Sequence, residues 1–189
     1  MSPQKCTISF SSQLQFQNGS TMCSAAAALM CYYMLKRAKN LCDINTDILN
    51  FIMHHSAQLF GKCLKGHGRL FDTMDTLKRI QMHEHCPALQ TDEVFGLVGV
   101  TPSDMCNAAC MDLSGLLQRV AHGQCCAVTL LAHTVAIGKL DKHWWYFDSL
   151  GGDFVITKSE QQVEALLTAG CDEGEQYSAV IMHITEANK

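Results

Sequence analysis

The chain has 189 residues, 48% hydrophobic and 17% charged, with three prolines and 13 glycines. That is enough apolar side chain for a single packed domain over 1–189, and it excludes a disordered or collagen-like chain. Lys plus Arg number 14 against 18 Asp plus Glu, a net charge of −4; no basic cluster exceeds Lys36-Arg37-Ala38-Lys39, which argues against a nucleic-acid partner.

The 11 cysteines are odd in number and follow no secretory signal, since Met1 to Ser12 is polar and mixed. They predict reduced thiols in a cytoplasmic or nuclear protein rather than a disulfide scaffold. The most hydrophobic run, Ala25 to Leu35, falls well short of the roughly 20 residues that span a bilayer, so no membrane partner is expected. Asn18-Gly19-Ser20 matches a glycosylation sequon, but without a secretory route it reads as a turn.

In chain order, residues 6–16 alternate loosely through Cys6, Ile8 and Phe10 and predict an extended arm or first strand. Asn18-Gly19-Ser20-Thr21 supplies a turn and N-cap chemistry. Ser24 to Ala38 reads as a helix with Leu29, Met30, Tyr33 and Met34 at helical spacing. Asn45-Thr46-Asp47 caps a second helix over 47–64, with Ile48, Phe51, Ile52, Ala57 and Leu59 facing inward. Leu70 to Met82 is a third amphipathic helix. Residues 83–103 look irregular, with a short strand near Val94–Val100, and Met111 to Ala121 is a fourth helix closed near Gly123.

From Cys125 the character changes. Cys125 to Gly138 is apolar and β-prone, Trp144 to Ser149 is aromatic, and Asp153 to Thr157 is a short strand. Asp141-Lys142 turns between the first two and Gly151-Gly152 between the last two, an antiparallel meander. Ser159 to Leu167 is a helix with an N-cap Ser, and Tyr177 to Ile184 a final strand. Helices first and strands last predict an α+β domain, a helical half packed on an antiparallel sheet.

Three positions carry the chemistry. Cys23 stands where a turn becomes a helix, near unpaired amides and the positive end of the dipole, which favours a nucleophilic thiolate. His133 lies within an apolar strand, Leu131-Ala132-His133-Thr134-Val135-Ala136. Asp148 ends the next strand, and a turn near Asp141–Lys142 brings His133 and Asp148 level, so that the carboxylate can orient the imidazole. Gln17, six residues before Cys23, can donate its amide to an oxyanion at the sulfur. Singly, each residue also fits a plainer role: Cys23 a small core residue, His133 a satisfied core histidine, Asp148 a turn residue. Their order and spacings must agree together for the chemical reading.

Gln17-x5-Cys23 followed by Ser24-Ala25-Ala26-Ala27-Ala28-Leu29-Met30 resembles the nucleophile helix of papain-like cysteine peptidases. His133-Thr134-Val135-Ala136 and the aromatic strand into Phe147-Asp148-Ser149-x-Gly151-Gly152 resemble that superfamily's His and Asp strands. Bacteriocin-processing peptidase domains and the YopT-like effector proteases show similar patterns. The layout is most similar to the deubiquitinase domain of the herpesvirus large tegument protein, including a helix like Thr46-Asp47-Ile48-Leu49-Asn50-Phe51-Ile52-Met53. One departure stands out: the tegument enzymes carry Asp and His two residues apart on one strand, where this chain has Asp148-Ser149-Leu150. The imidazole then comes from His133, the ordinary papain position.

The resemblance implies a papain-like fold and a Cys-His-Asp thiol protease of a virus or intracellular pathogen. It would need no cofactor and would act on ubiquitin or a ubiquitin-like protein and its conjugates in the host-cell interior. Within that implication Cys23 is the nucleophile, His133 the general base and acid, Asp148 the orienting carboxylate and Gln17 the oxyanion donor. The same triad acting on a glutamine side chain gives deamidation or transglutamination, and a pseudoenzyme that binds a partner through its helical half is the alternative of another class.

Other residues invite weighing. His83-x-His85-Cys86 and Cys106/Cys110 suggest zinc only faintly, because no CxxC pair exists; no metal is expected. Cys125 and Cys126 are adjacent and predict opposite faces of a strand. His54-His55 read as helix surface, and His143, in the charged turn, as an exposed rival to His133. Of Trp144 and Trp145, one should face the core and the other the opposite side, where it either contacts substrate or packs under Asp153–Thr157.

Overall fold

The computed structural model describes residues 6–10, 22–63, 89–95, 113–130, 133–169 and 177–184. Strand β1 is Cys6–Ser9, helix α1 Cys23–Lys36, and a 3₁₀ turn at Leu41–Asp43 leads to α2, Thr46–Cys63. Strand β2 is Leu89–Phe95 and α3 is Leu113–Arg119; then come β3 Cys125–Leu130, β4 His133–Leu140, β5 His143–Asp148 and β6 Asp153–Thr157. Helix α4, Glu160–Thr168, precedes β7, Tyr177–Ile184. The strands form one sheet in the order β1-β6-β5-β4-β3-β7-β2, every neighbouring pair antiparallel. This is the α+β arrangement anticipated from the sequence, with the cysteine helix packed on an antiparallel sheet. Among the described residues no helix is long and apolar enough to cross a membrane.

Both faces of the sheet are covered. On one face Cys125, Ala127, Ala136, Trp145, Phe147, Phe154, Val180 and Met182 pack with α1 and α2. On the other, Cys126, Val128, Val135, Ile137, Trp144, Tyr146, Val155 and Ile181 pack with Leu116 and Leu117 of α3 and Val163 and Leu167 of α4. Cys125 and Cys126 therefore point to opposite sides, as strand geometry requires.

Helix α1 is buried nearly all round, between the sheet and α2, so its apolar residues show no single stripe. Ala25 to Ala28 are fully buried; their small side chains let the helix backbone approach the sheet closely. The helix begins at Cys23, one residue before the predicted Ser24, with Met22 as an N-cap that supplies no side-chain hydrogen bond. The predicted capping turn at 18–21 lies outside the described residues.

Helix α2 starts where its cap predicts, the Asn45 side chain accepting from the Ile48 amide at 3.0 Å. Its inward face is shifted from the expected one. Leu49, Ile52 and Met53 are buried, whereas Phe51 is 54% exposed and lies 4.1 Å from the His55 ring, centroid to centroid. A helical repeat of 3.6 residues puts 49, 52, 53 and 56 on one stripe, and the Ser56 hydroxyl on it is satisfied by donating to the Ile52 carbonyl.

Strand β2 lies earlier than expected, at Leu89–Phe95 rather than near Val94–Val100. The larger correction is that Cys125–Gly138 is not one strand. It is an antiparallel hairpin in which Leu130 pairs with His133 and Cys125 with Gly138. Nothing between Leu130 and His133 carries Gly, Pro, Asn or Asp, so no turn residue announced it. The run's length did, since strands seldom exceed 8 residues or so.

The β4–β5 connection is the expected two-residue turn. Asp141 (φ 51°) and Lys142 (φ 64°) both adopt left-handed backbone, the geometry of a type I′ turn that matches the strands' twist. Across it Gly138 pairs with Trp145. A Cβ at Gly138 would stand 2.6 Å from Trp145 Cζ2 and 2.8 Å from the Gln124 carbonyl oxygen, so the indole closes over a position only glycine leaves open. Trp144 and Trp145 are both buried, one on each face. Trp145 stacks on Phe154, and the Lys139 ammonium sits 4.1 Å above the Trp144 ring. Helices cover both faces, so neither ring points to solvent and both pack in the core rather than one facing outward. The predicted helix at Leu70–Met82, and the His83, His85, Cys86, Cys106 and Cys110 cluster, lie outside the described residues.

Candidate active site

The fold brings three chain-distant residues to one end of the central strands. Cys23 is the first residue of α1, His133 the first of β4, and Asp148 the last of β5. The hairpin correction matters here: His133 is not mid-strand, as the sequence suggested, but at the strand's end, where a ring can reach beyond the sheet. Ala136 pairs with Phe147 and Leu140 with His143, so extending the register sets Asp148 opposite Val135. His133 and Asp148 are therefore diagonal neighbours rather than level, within reach of a long side chain.

His133 Nε2 lies 2.7 Å from Asp148 Oδ1. Both side chains are about one-fifth exposed, 21% and 22%, a partly sheltered site that solvent still reaches. The remaining ring nitrogen, Nδ1, is buried, with no hydrogen-bond partner at normal distance and angle among the described residues. The Cys23 thiol nevertheless acts on the ring as both a hydrogen-bonding and a charged neighbour. Catalytic hydrogen bonds are often long before substrate arrives. Burial on its own would lower the imidazole pKa. The hydrogen bonds to Asp148 and then Cys23, with the negative charge of each, overcome burial and raise it from 6.5 to about 9. By reciprocity, the imidazolium favours the thiolate.

Asp148 does two things with one oxygen. Its Oδ1 also accepts from the Leu150 amide at 2.8 Å and the Gly151 amide at 3.0 Å, an Asx turn at the end of β5. Burial would raise the carboxyl pKa, but the His133 hydrogen bond, the two amides and the imidazolium charge hold it below its ordinary value. The turn-residue reading and the triad reading of Asp148 were thus not rivals. Sequence reasoning missed Tyr146, two residues back on the same strand face. Burial, then the negative charge of Asp148, push that phenol well above its ordinary range, so it stays protonated beside the carboxylate. An i, i+2 pairing of Tyr and Asp in a strand was the available signal.

The other expected residues fall elsewhere. Gln17 lies outside the described residues. His143 is at the opposite end of β5 from Asp148, its Nδ1 bonded to the Asp141 carbonyl, about 17 Å away along the strand. Cys31 and Cys126 are buried thiols, Cys31 raised by burial and then by its hydrogen bond with Cys125, Cys126 by burial and then by Cys31; such thiols are inert packing groups. Among the described residues no group of three or more His, Cys, Asp or Glu could hold a metal ion.

No family model matches the chain, and no curated protein matches it. Among solved structures it is similar to the ubiquitin-specific protease encoded by the murine cytomegalovirus tegument protein M48, solved in complex with a ubiquitin-based suicide substrate. The TM-score is 0.57 at 12% sequence identity, over 97% of this chain and 88% of that one. At that identity the likeness is one of fold: the α+β architecture is shared over nearly the whole chain.

Proposed function

We propose that the protein is a cysteine protease that removes ubiquitin or a ubiquitin-like modifier from host proteins, working in the cytoplasm or nucleus. The observation that carries this reading is the His133 ring, bonded to Asp148 through Nε2 and acted on by the Cys23 thiol. That Cys23 opens a helix adds the favourable end of the dipole. The likeness in fold to a viral ubiquitin-specific protease supports the choice of substrate.

In this reading the Cys23 thiolate attacks the carbonyl carbon at the modifier's C-terminus, and the carbonyl π electrons move onto oxygen. Gln17 donates to that oxyanion. As the C–N bond breaks, the His133 imidazolium protonates the departing lysine amine, leaving an acyl-thioester on Cys23. Neutral His133 then takes a proton from water, whose oxygen attacks the thioester; the modifier leaves with a free carboxylate and the thiolate returns. Asp148, held by two amides, keeps the ring in one tautomer and stabilises its charge. No step requires a cofactor.

Cleavage of isopeptide-linked diubiquitin tests the proposal. The parent should release ubiquitin, Cys23→Ala should release none, and His133→Ala should be slower by about 10²–10⁴-fold, the usual scale of general acid–base catalysis. Parent-level cleavage by His133→Ala would contradict the assignment.

A further inference from the structure

Ser24 follows the nucleophile in sequence and Thr134 follows the base. Although 110 positions apart, their hydroxyl oxygens stand 3.0 Å from each other. Thr134 Oγ1 is also 3.0 Å from Thr129 Oγ1, its direct partner across the β3–β4 hairpin. All three side chains are buried, at 2%, 1% and 6% exposure for Ser24, Thr134 and Thr129. They lie where the first turn of α1 meets the sheet face that otherwise carries Ala127, Ala136 and Phe147.

Buried hydroxyls are costly unless paired, and an apolar trio would fill this space without directionality. Directionality is what the place calls for. A helix seated on the sheet through the small side chains of Ala25 to Ala28 has little relief at that contact to fix its register along the axis. Hydroxyl hydrogen bonds fail within a few tenths of an ångström. We propose that the Ser24–Thr134–Thr129 hydroxyl chain is a positioning clamp that sets the separation of the Cys23 sulfur and the His133 ring. The clamp rests on the reading of Cys23 and His133 as nucleophile and base. These residues touch no reacting atom; they act through their neighbours.

Iodoacetamide alkylation of Cys23, followed against pH by peptide mass, tests the clamp without any ubiquitin substrate. It would be run on the parent, Ser24→Ala, Thr134→Val and Thr134→Ser, with thermal melts alongside. The parent should alkylate at a rate nearly flat from about pH 6 to 8, the mark of a thiolate–imidazolium pair. Ser24→Ala and Thr134→Val should lose about tenfold at pH 6, as a rise of about two units from a thiol already ionised at that pH gives, and regain rate as pH rises. Thr134→Ser, which keeps the hydroxyl, should hold the parent's profile. A merely structural role would lower the melting temperature and leave the pH profile alone, and that result overturns the clamp. If Thr134→Val does not fold, Ser24→Ala carries the test, since Ala is the better helix former. A parent Cys23 that titrates as an ordinary thiol contradicts the Cys–His reading and the clamp together; an activated parent with unchanged variants contradicts the clamp alone.

Discussion

Oδ1 of Asp148 receives the His133 ring and the Leu150 and Gly151 amides at once, so the residue that ends the strand also aims the imidazole. Charge and shape can be separated there. His133 titrates at about 9 rather than 6.5; because the folded value is the higher one, its stabilisation is complete below about pH 6.5 and lost as pH rises through 9. Asp148 is shifted the other way, so its contribution is present above its unfolded value and lost on acidification. Asp148→Asn retains an acceptor oxygen for the amides while removing the charge. The gap in melting temperature between parent and variant should therefore be widest near pH 5–6 and narrow by about pH 9–10. Calorimetry across that range checks it, and a gap that does not change with pH would contradict the ion pair. At this scale the sequence was informative: local context and spacing anticipated that Cys23, His133 and Asp148 come to one end of the sheet. Tyr146 and the hydroxyls of Ser24, Thr134 and Thr129 could not be anticipated, because a hydroxyl's partner is set by tertiary placement rather than by neighbours in the chain.

At the scale of elements, legibility followed the turn residues. Ser159 announces α4 and does accept from the Gln162 amide; Asp141-Lys142 and Gly151-Gly152 announce the β5 boundaries. Leu131-Ala132 announces nothing, so in sequence the β3–β4 hairpin reads as one strand. Asp141 and Lys142 themselves occupy left-handed backbone without being glycine or asparagine, a conformation costing on the order of 1–2 kcal/mol per residue. Replacing both, Asp141→Asn with Lys142→Gly, gives the turn its preferred residues. It should raise the melting temperature by roughly 2–4 °C for each kcal/mol recovered in a chain this size, with Cys23 reactivity unchanged because the turn is at the opposite end of β4 and β5. A lower melting temperature would show that the present side chains contribute more than the backbone costs.

For the whole molecule, an α+β fold with the cysteine helix against an antiparallel sheet was readable from the order of helical and alternating segments. What the sequence concealed was the second covered face. With α3 and α4 packed on Cys126, Val128, Ile137 and Trp144, β3 is buried on all six residues and shows no alternation to read, and both tryptophans become core. The same double covering leaves the ends of β4 and β5 as the place where polar side chains can meet solvent, and His133 and Asp148 are there. In the proposed function, this end of the sheet holds an activated thiol that recognises ubiquitin. Incubating the parent and Cys23→Ala with a ubiquitin C-terminal propargylamide probe, and reading the intact mass, tests it most directly. The parent should gain a single one-ubiquitin adduct and the variant none. An unmodified parent whose Cys23 is alkylated no faster than its other cysteines would contradict it.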